Sequence, residues 1–184
     1  MVTTSSAAIA RRVRSLRAHG MEVRYHHEEI GWNSRLDTLQ AAVLLVKLRH
    51  VNQWNDRRRV LAARYDELFT AAGIVESGPY PDRGLVLPWV DPRAHHVFHQ
   101  YVVRVARREE LRTWLAERGI GSEIYYPLAL HQQKALVSLG YREGAFPESE
   151  RAAREVLALP IFPQLRDDEQ ERVVGAIRDF LSRA

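Results

Sequence analysis

Apolar residues first recur at helical spacing in "SSAAIARRVRSLRAHG", residues 5–20, where Ile9, Val13 and Leu16 fall at i, i+4 and i+7. The pattern predicts a helix started by Ser5 or Ser6 and ended by Gly20. The "MVTT" before it reads as the tail of a strand. "MEVRYHHEEIGWN", residues 21–33, has no clear period and reads as a loop. A helical pattern then runs from about residue 35 to 72. Ser34 is its expected N-cap, Asp37 completes a capping box, and a bend is expected near "RHVNQWND". Residues 41–46, "AAVLLV", are apolar all round, which predicts burial between layers. Leu61, Tyr65 and Leu68 give the second half a single stripe, with Arg57, Arg58 and Arg59 outside it.

After Gly73 the texture changes, and the turn-rich "ESGPYPDRG" marks a boundary. "LVLPWV" and "HVFHQYVVRV" have strand composition. "REELRTWLAERG" predicts a helix with Leu111, Trp114 and Leu115 inward, and "IGSEIYY" a short strand stopped by Pro127. "HQQKALVSLG" and "SERAAREVLAL" read as short helices. "DDEQERVVGAIRDFL" closes the chain as a helix with Val173, Val174, Ile177 and Phe180 on its apolar face. The expected division is a first segment and connecting loop at 1–36, a long linking or interface helix at 37–72, and an α+β lobe at 73–184.

Composition narrows the class. The 184 residues are 46% hydrophobic and 27% charged, as in soluble globular proteins. No apolar run approaches the roughly 18 residues of a membrane span, and the start lacks a signal-peptide layout. The absence of cysteine excludes disulfides and thiol chemistry and fits a cytoplasmic protein. The net charge of +4 invites a nucleic-acid reading of "RRVRSLR" and "NDRRR". Each lies on a helix with an apolar opposite face and acids close behind, so a solvated face accounts for both. Of the 27 basic residues only Lys47 and Lys134 are lysines.

Three stretches carry candidate chemistry. His95, His96 and His99 form H-H-x-x-H, but no cysteine completes a ligand set, so packing or hydrogen bonding explains them and no metal is expected. In "GWNSR", Asn33, Ser34 and Arg35 stand at the expected helix start, where free N–H groups favour an anion. If Ser34 caps, Asn33 and Arg35 are left to face a phosphate or carboxylate. In "YYPLALHQQ", Tyr125, Tyr126 and His131 stand at a loop mouth, where ligand contact and local packing fit equally well.

Taken in order, "RYHHEEIGWNSRLDTLQAAVLLVKL", "NDRRRVLAARYDEL", "FHQYVVRV", "GIGSEIYYPLALHQQKAL" and "LGYREGAFPESERAAREVLALPIFPQL" resemble the C-terminal part of the DegT/DnrJ/EryC1/StrS family. These are the pyridoxal-phosphate sugar aminotransferases, and the resemblance spans essentially the whole chain. It implies an α/β protein of the type I aminotransferase fold, with residues 1–36 ending the large domain and 73–184 forming the α+β small domain. It implies a homodimer with shared active sites and pyridoxal 5'-phosphate as cofactor. The implied reaction moves an amino group from glutamate to a keto-sugar, usually nucleotide-linked, in amino-sugar biosynthesis. The "YY" form with "HHEEIGWNSRLD" is similar to members that aminate carbon 3.

By the same resemblance Asn33 meets the cofactor phosphate of the partner subunit's site, with Arg35 beside it. The family loop YPxPLHxQ corresponds to residues 126–133, so Tyr126 and His131 are implied to line the sugar site. Ala129 stands at the loop's second proline position, which leaves its stiffness open. The family's catalytic lysine, its acid facing the pyridine nitrogen and its stacking aromatic all precede the segment matched by Met1. No catalytic residue is therefore assigned, and the expected reading is the C-terminal portion of such an enzyme. Members with a histidine in place of the lysine dehydrate sugars, so that outcome stays open. The rivals are a non-catalytic dimerisation or nucleotide-sugar-binding module and a remnant without activity.

Overall fold

The computed structural model describes residues 2–183. The chain forms two compact units, Met1–His50 and Val51–Ala184. Every buried apolar side chain among the described residues belongs to the second unit.

The first unit opens with helix α1, Ala7–Leu16, whose N-cap Ser6 accepts the Ile9 N–H through Oγ at 3.4 Å. The chain then reverses through His19 and Gly20, both at positive φ. Where a loop is expected, residues 21–27 form a small antiparallel ribbon of β1, Met21–Val23, and β2, His26–His27. Its side chains are largely exposed, so no inside-outside alternation is available to reveal it. Val2 to Thr4 form no strand, and Met1 lies outside the described residues.

Helix α2, Thr38–Leu48, starts later than expected. Asp37 is its N-cap and accepts the Gln40 N–H at 2.7 Å, while Ser34 gives its own N–H to the Arg17 carbonyl at 2.9 Å. A charged acceptor at the helix start outcompetes the serine three residues upstream. After a turn at residues 49–50, α3 covers Val51–Ala71. The long helix expected over 37–72 is thus two, with the break at residues 49–50, at the start of the stretch where a bend is expected. The expected burial of residues 41–46 is not seen, since α2 has no buried residue.

The second unit holds the core. The α3 stripe is Leu61, Ala62, Tyr65 and Phe69, all fully buried. The sheet is antiparallel in the order β3–β4–β5, with β3 at Leu85–Val86, β4 at Tyr101–Val105 and β5 at Val156–Leu159. In β4 the side chains alternate, with Tyr101, Val103 and Val105 inward. Around the sheet lie α4 at Arg108–Glu117, α5 at Pro147–Glu155 and α6 at Asp167–Leu181, with 3₁₀ turns at Leu130–Gln132 and Lys134–Leu139. Gly119, at φ +66°, ends α4 as expected, and Val173, Val174, Ile177 and Phe180 of α6 are buried.

Three expectations in this unit fail for identifiable reasons. Residues 95–100 are not strand, and Phe98 sits at φ 46°, outside extended geometry. "IGSEIYY" contributes only an isolated bridge, Glu123 to Ala158. "VLAL", expected to continue a helix, is β5: a four-residue apolar run fits a buried strand as well as a helix, and the tertiary pairing decides. No helix of the described residues is long and apolar enough to cross a membrane.

Candidate functional site

"GWNSR" is held against the end of α1 by backbone hydrogen bonds. Trp32 N–H reaches the Leu16 carbonyl at 2.7 Å, and His19 N–H reaches that of Trp32 at 2.9 Å. Asn33 bridges Ala18. The glycine is obligatory, because a Cβ at position 31 would stand 2.3 Å from Gly20 N and 2.6 Å from the Leu16 carbonyl oxygen. This packing fixes the exposed residues that follow. Arg35 Nε donates to Asn33 Oδ1 at 3.1 Å, which leaves the Asn33 NH₂ and the terminal guanidinium nitrogens as donors for a ligand. The two residues are not at a helix N-terminus. That position belongs to Asp37, whose carboxylate already serves the first turn. An anion here would be bound by side chains and not by a helix end.

The second candidate region is the loop from Tyr125 to Gln133. Tyr126 is 69% exposed, and its ring stands edge-on to Tyr125 with centroids 5.8 Å apart. Tyr125 also lines an open groove of about 540 Å³ with His99, Gln100, Ser122 and Glu123. His131 behaves differently. Its side chain is only 7% exposed, and Nε2 lies 2.8 Å from Glu150 Oε1. Glu150, itself buried, also accepts the N–H groups of Gly144 and Phe146. Burial acts to raise its carboxyl, but the hydrogen bonds from His131, Gly144 and Phe146 outweigh that and hold it below the ordinary value.

Glu150 was not a candidate on the sequence. In "FPESE" it reads as one more acid in a helix's first turn, a position acids favour for the dipole alone. Its spacing to His131, 19 residues away, carries no local signal. Of the two lysines, Lys47 lies in the last turn of α2 and Lys134 opens the second 3₁₀ turn, and both are exposed. His96 Nδ1 accepts the Phe98 N–H at 3.1 Å, and the described residues contain no cluster of three ligating side chains that could hold a metal.

The sequence profile of the DegT/DnrJ/EryC1/StrS aminotransferase family matches residues 1–178. Among curated relatives, the chain is 43% identical over 180 residues to a "Pleiotropic regulatory protein" of Geobacillus stearothermophilus, covering 98% of this chain and 46% of that protein. It is 41% identical over 182 residues to the dTDP-3-amino-3,4,6-trideoxy-alpha-D-glucose transaminase of Streptomyces venezuelae, covering 99% and 45%. The crystal structure of S. venezuelae DesV superposes with a TM-score of 0.86 at 40% identity, covering 99% of this chain and 46% of that one. The chain therefore spans about half the length of the curated relatives it matches.

Proposed function

The chain belongs to the DegT/DnrJ/EryC1/StrS aminotransferase family, and on that premise we propose that it forms part of a pyridoxal-phosphate-dependent enzyme that moves an amino group from glutamate to a nucleotide-linked keto-sugar. The observation that carries this reading is the match to DesV along 99% of the chain. The S. venezuelae relative named as a dTDP-amino-sugar transaminase supports the same substrate class.

The donor set supports one end of the cofactor. An amide NH₂ and a guanidinium, held side by side by the Arg35–Asn33 bond, suit a phosphate, which takes several N–H donors at once. When bound, pyridoxal phosphate supplies the electron sink through which an amino group is transferred. In this reading Asn33 and Arg35 bind its phosphate in the partner subunit's site. Tyr126 offers the sugar an exposed ring and hydroxyl, and His131 belongs to the same sugar-facing loop. Neither Lys47 nor Lys134 is assigned as the reacting amine, since Lys47 is exposed in the last turn of α2 and Lys134 is exposed at the start of a 3₁₀ turn. The exposed apolar surface of α2 is assigned to contacts within the assembled homodimer.

The test is a hybrid in which this chain replaces the matching part of the S. venezuelae transaminase. Amino transfer to a dTDP-linked keto-sugar, lost on Tyr126→Ala with cofactor retained, is the expected result. A folded hybrid that binds pyridoxal phosphate yet transfers nothing would sink the reading. The Geobacillus relative named as a regulatory protein favours a second reading, a regulatory module without turnover. It predicts that inactive hybrid.

A further inference from the structure

Between residues 125 and 149 the chain is largely open to solvent. Ala129, at 7% exposure, is the buried residue of the stretch. Such a loop has little apolar contact to hold it, so its conformation depends on specific anchors. Ala129 does not supply the restraint of a proline ring. It adopts φ −66° and ψ 150°, a proline-like geometry, and is held there by its N–H donating to Gln132 Oε1 at 3.3 Å.

The stronger anchor is Glu150. One carboxylate ties its own helix to two further stretches of chain: the loop, through His131 at 2.8 Å, and residues 144–146, through Gly144 N–H at 2.8 and 3.0 Å and Phe146 N–H at 3.4 Å. The His131 ring packs on Phe146 with centroids 4.9 Å apart, and Phe146 packs on Tyr141 at 5.0 Å. Glu150 sits in the first turn of α5, which runs directly into β5 of the core sheet. The loop is therefore tied to the sheet at its start by the Glu123–Ala158 bridge, and beyond it through the Glu150 side chain.

We propose that Glu150 is the positioning residue of the sugar-facing loop, fixing His131 and through it the placement of Tyr126. The proposal rests on the loop's assignment to the sugar. It differs from that assignment in giving His131 a strut's role, since its Nε2 is committed to Glu150 and its side chain is nearly closed to ligand. Glutamine at 150 keeps an acceptor oxygen for the same partners, whereas alanine leaves the His131 and Gly144 donors without one.

Two readouts test it. Hydrogen exchange on the 184-residue chain follows the amides of residues 128–133, and the hybrid enzyme gives KM and kcat for the keto-sugar. Glu150→Ala is expected to speed exchange about tenfold and to raise KM about tenfold with kcat within about twofold, and Glu150→Gln to restore most of both. Unchanged exchange in Glu150→Ala overturns the proposal. Faster exchange with an unchanged KM overturns it too, while leaving the aminotransferase reading intact. A glutamine variant as impaired as alanine in both readouts also overturns it, since acceptor geometry would then not be what Glu150 contributes. A hybrid that binds cofactor and transfers nothing sinks the functional reading and with it the loop's role toward the sugar, and exchange then reports on the anchor alone.

Discussion

A Cβ at position 31 would stand 2.3 Å from the backbone nitrogen of Gly20. Gly20 is equally constrained, since its own Cβ would meet the Glu29 carbonyl oxygen at 1.8 Å. The two glycines let the chain entering Asn33 lie directly on the turn after α1. Gly31→Ala should therefore separate these backbones and cost about 2 kcal/mol or more of local stability. Hydrogen exchange at Trp32 and Ser34, whose N–H groups bond Leu16 and Arg17, measures it. Protection equal to wild type would show that the strap moves aside at no cost.

Asn33→Ala removes the neutral half of the proposed phosphate pair. A hydrogen bond to a charged group contributes roughly 1.5–3 kcal/mol, so the hybrid should retain pyridoxal phosphate about ten- to a hundredfold less tightly. Arg35 is tied to Asn33 by its Nε, so the double variant should fall short of the sum of the singles. Cofactor affinity unchanged in a dialysis titration would remove Asn33 from the site.

Helix α2 leaves Leu39, Leu44, Leu45 and Leu48 between 50% and 76% exposed, with Val43 and Val46 beside them. A contiguous apolar helix of this kind is not kept in water. The chain on its own should self-associate, and Leu44→Glu with Leu48→Glu should shift it toward monomer in light scattering. A clean monomer for the unaltered chain would contradict the interface role given to α2.

Legibility in the sequence followed burial. α4 and α6 could be read because each buries one stripe, and the inward residues Leu111, Leu115, Val173 and Ile177 recur at helical spacing. The β1–β2 ribbon could not be read, because both faces are exposed and nothing alternates. β5 was ambiguous because a short run buried on both sides has no period. The site divides the same way. Asn33, Arg35, Tyr126 and His131 came forward as polar residues in motif-bearing loops. The partner that fixes His131 came from 19 residues away and is visible only once α5 is packed.

Acid should release one further anchor. Glu76 accepts the N–H groups of Asp82, Arg83 and Gly84 at 2.6, 2.8 and 2.8 Å, closing the turn that leads into β3. Burial acts to raise its carboxyl, but these three donors outweigh it and the group lies below its ordinary value of 4.5. A carboxyl depressed in the folded state stabilises it when ionised. Its contribution is therefore complete above about pH 4.5 and is lost as pH falls through the lower folded-state value. Asp91, Glu110 and Asp168 are depressed by arginine partners and shift in the same direction, so the wild type loses stability in acid for several reasons at once. The contribution of Glu76 is isolated by difference. Glu76→Gln should lower the melting temperature at pH 7, by about 1 kcal/mol of stability, and should differ little from wild type at pH 3. A gap between the two proteins that stays constant from pH 7 to pH 3 would mean that the charge of Glu76 does not hold the turn.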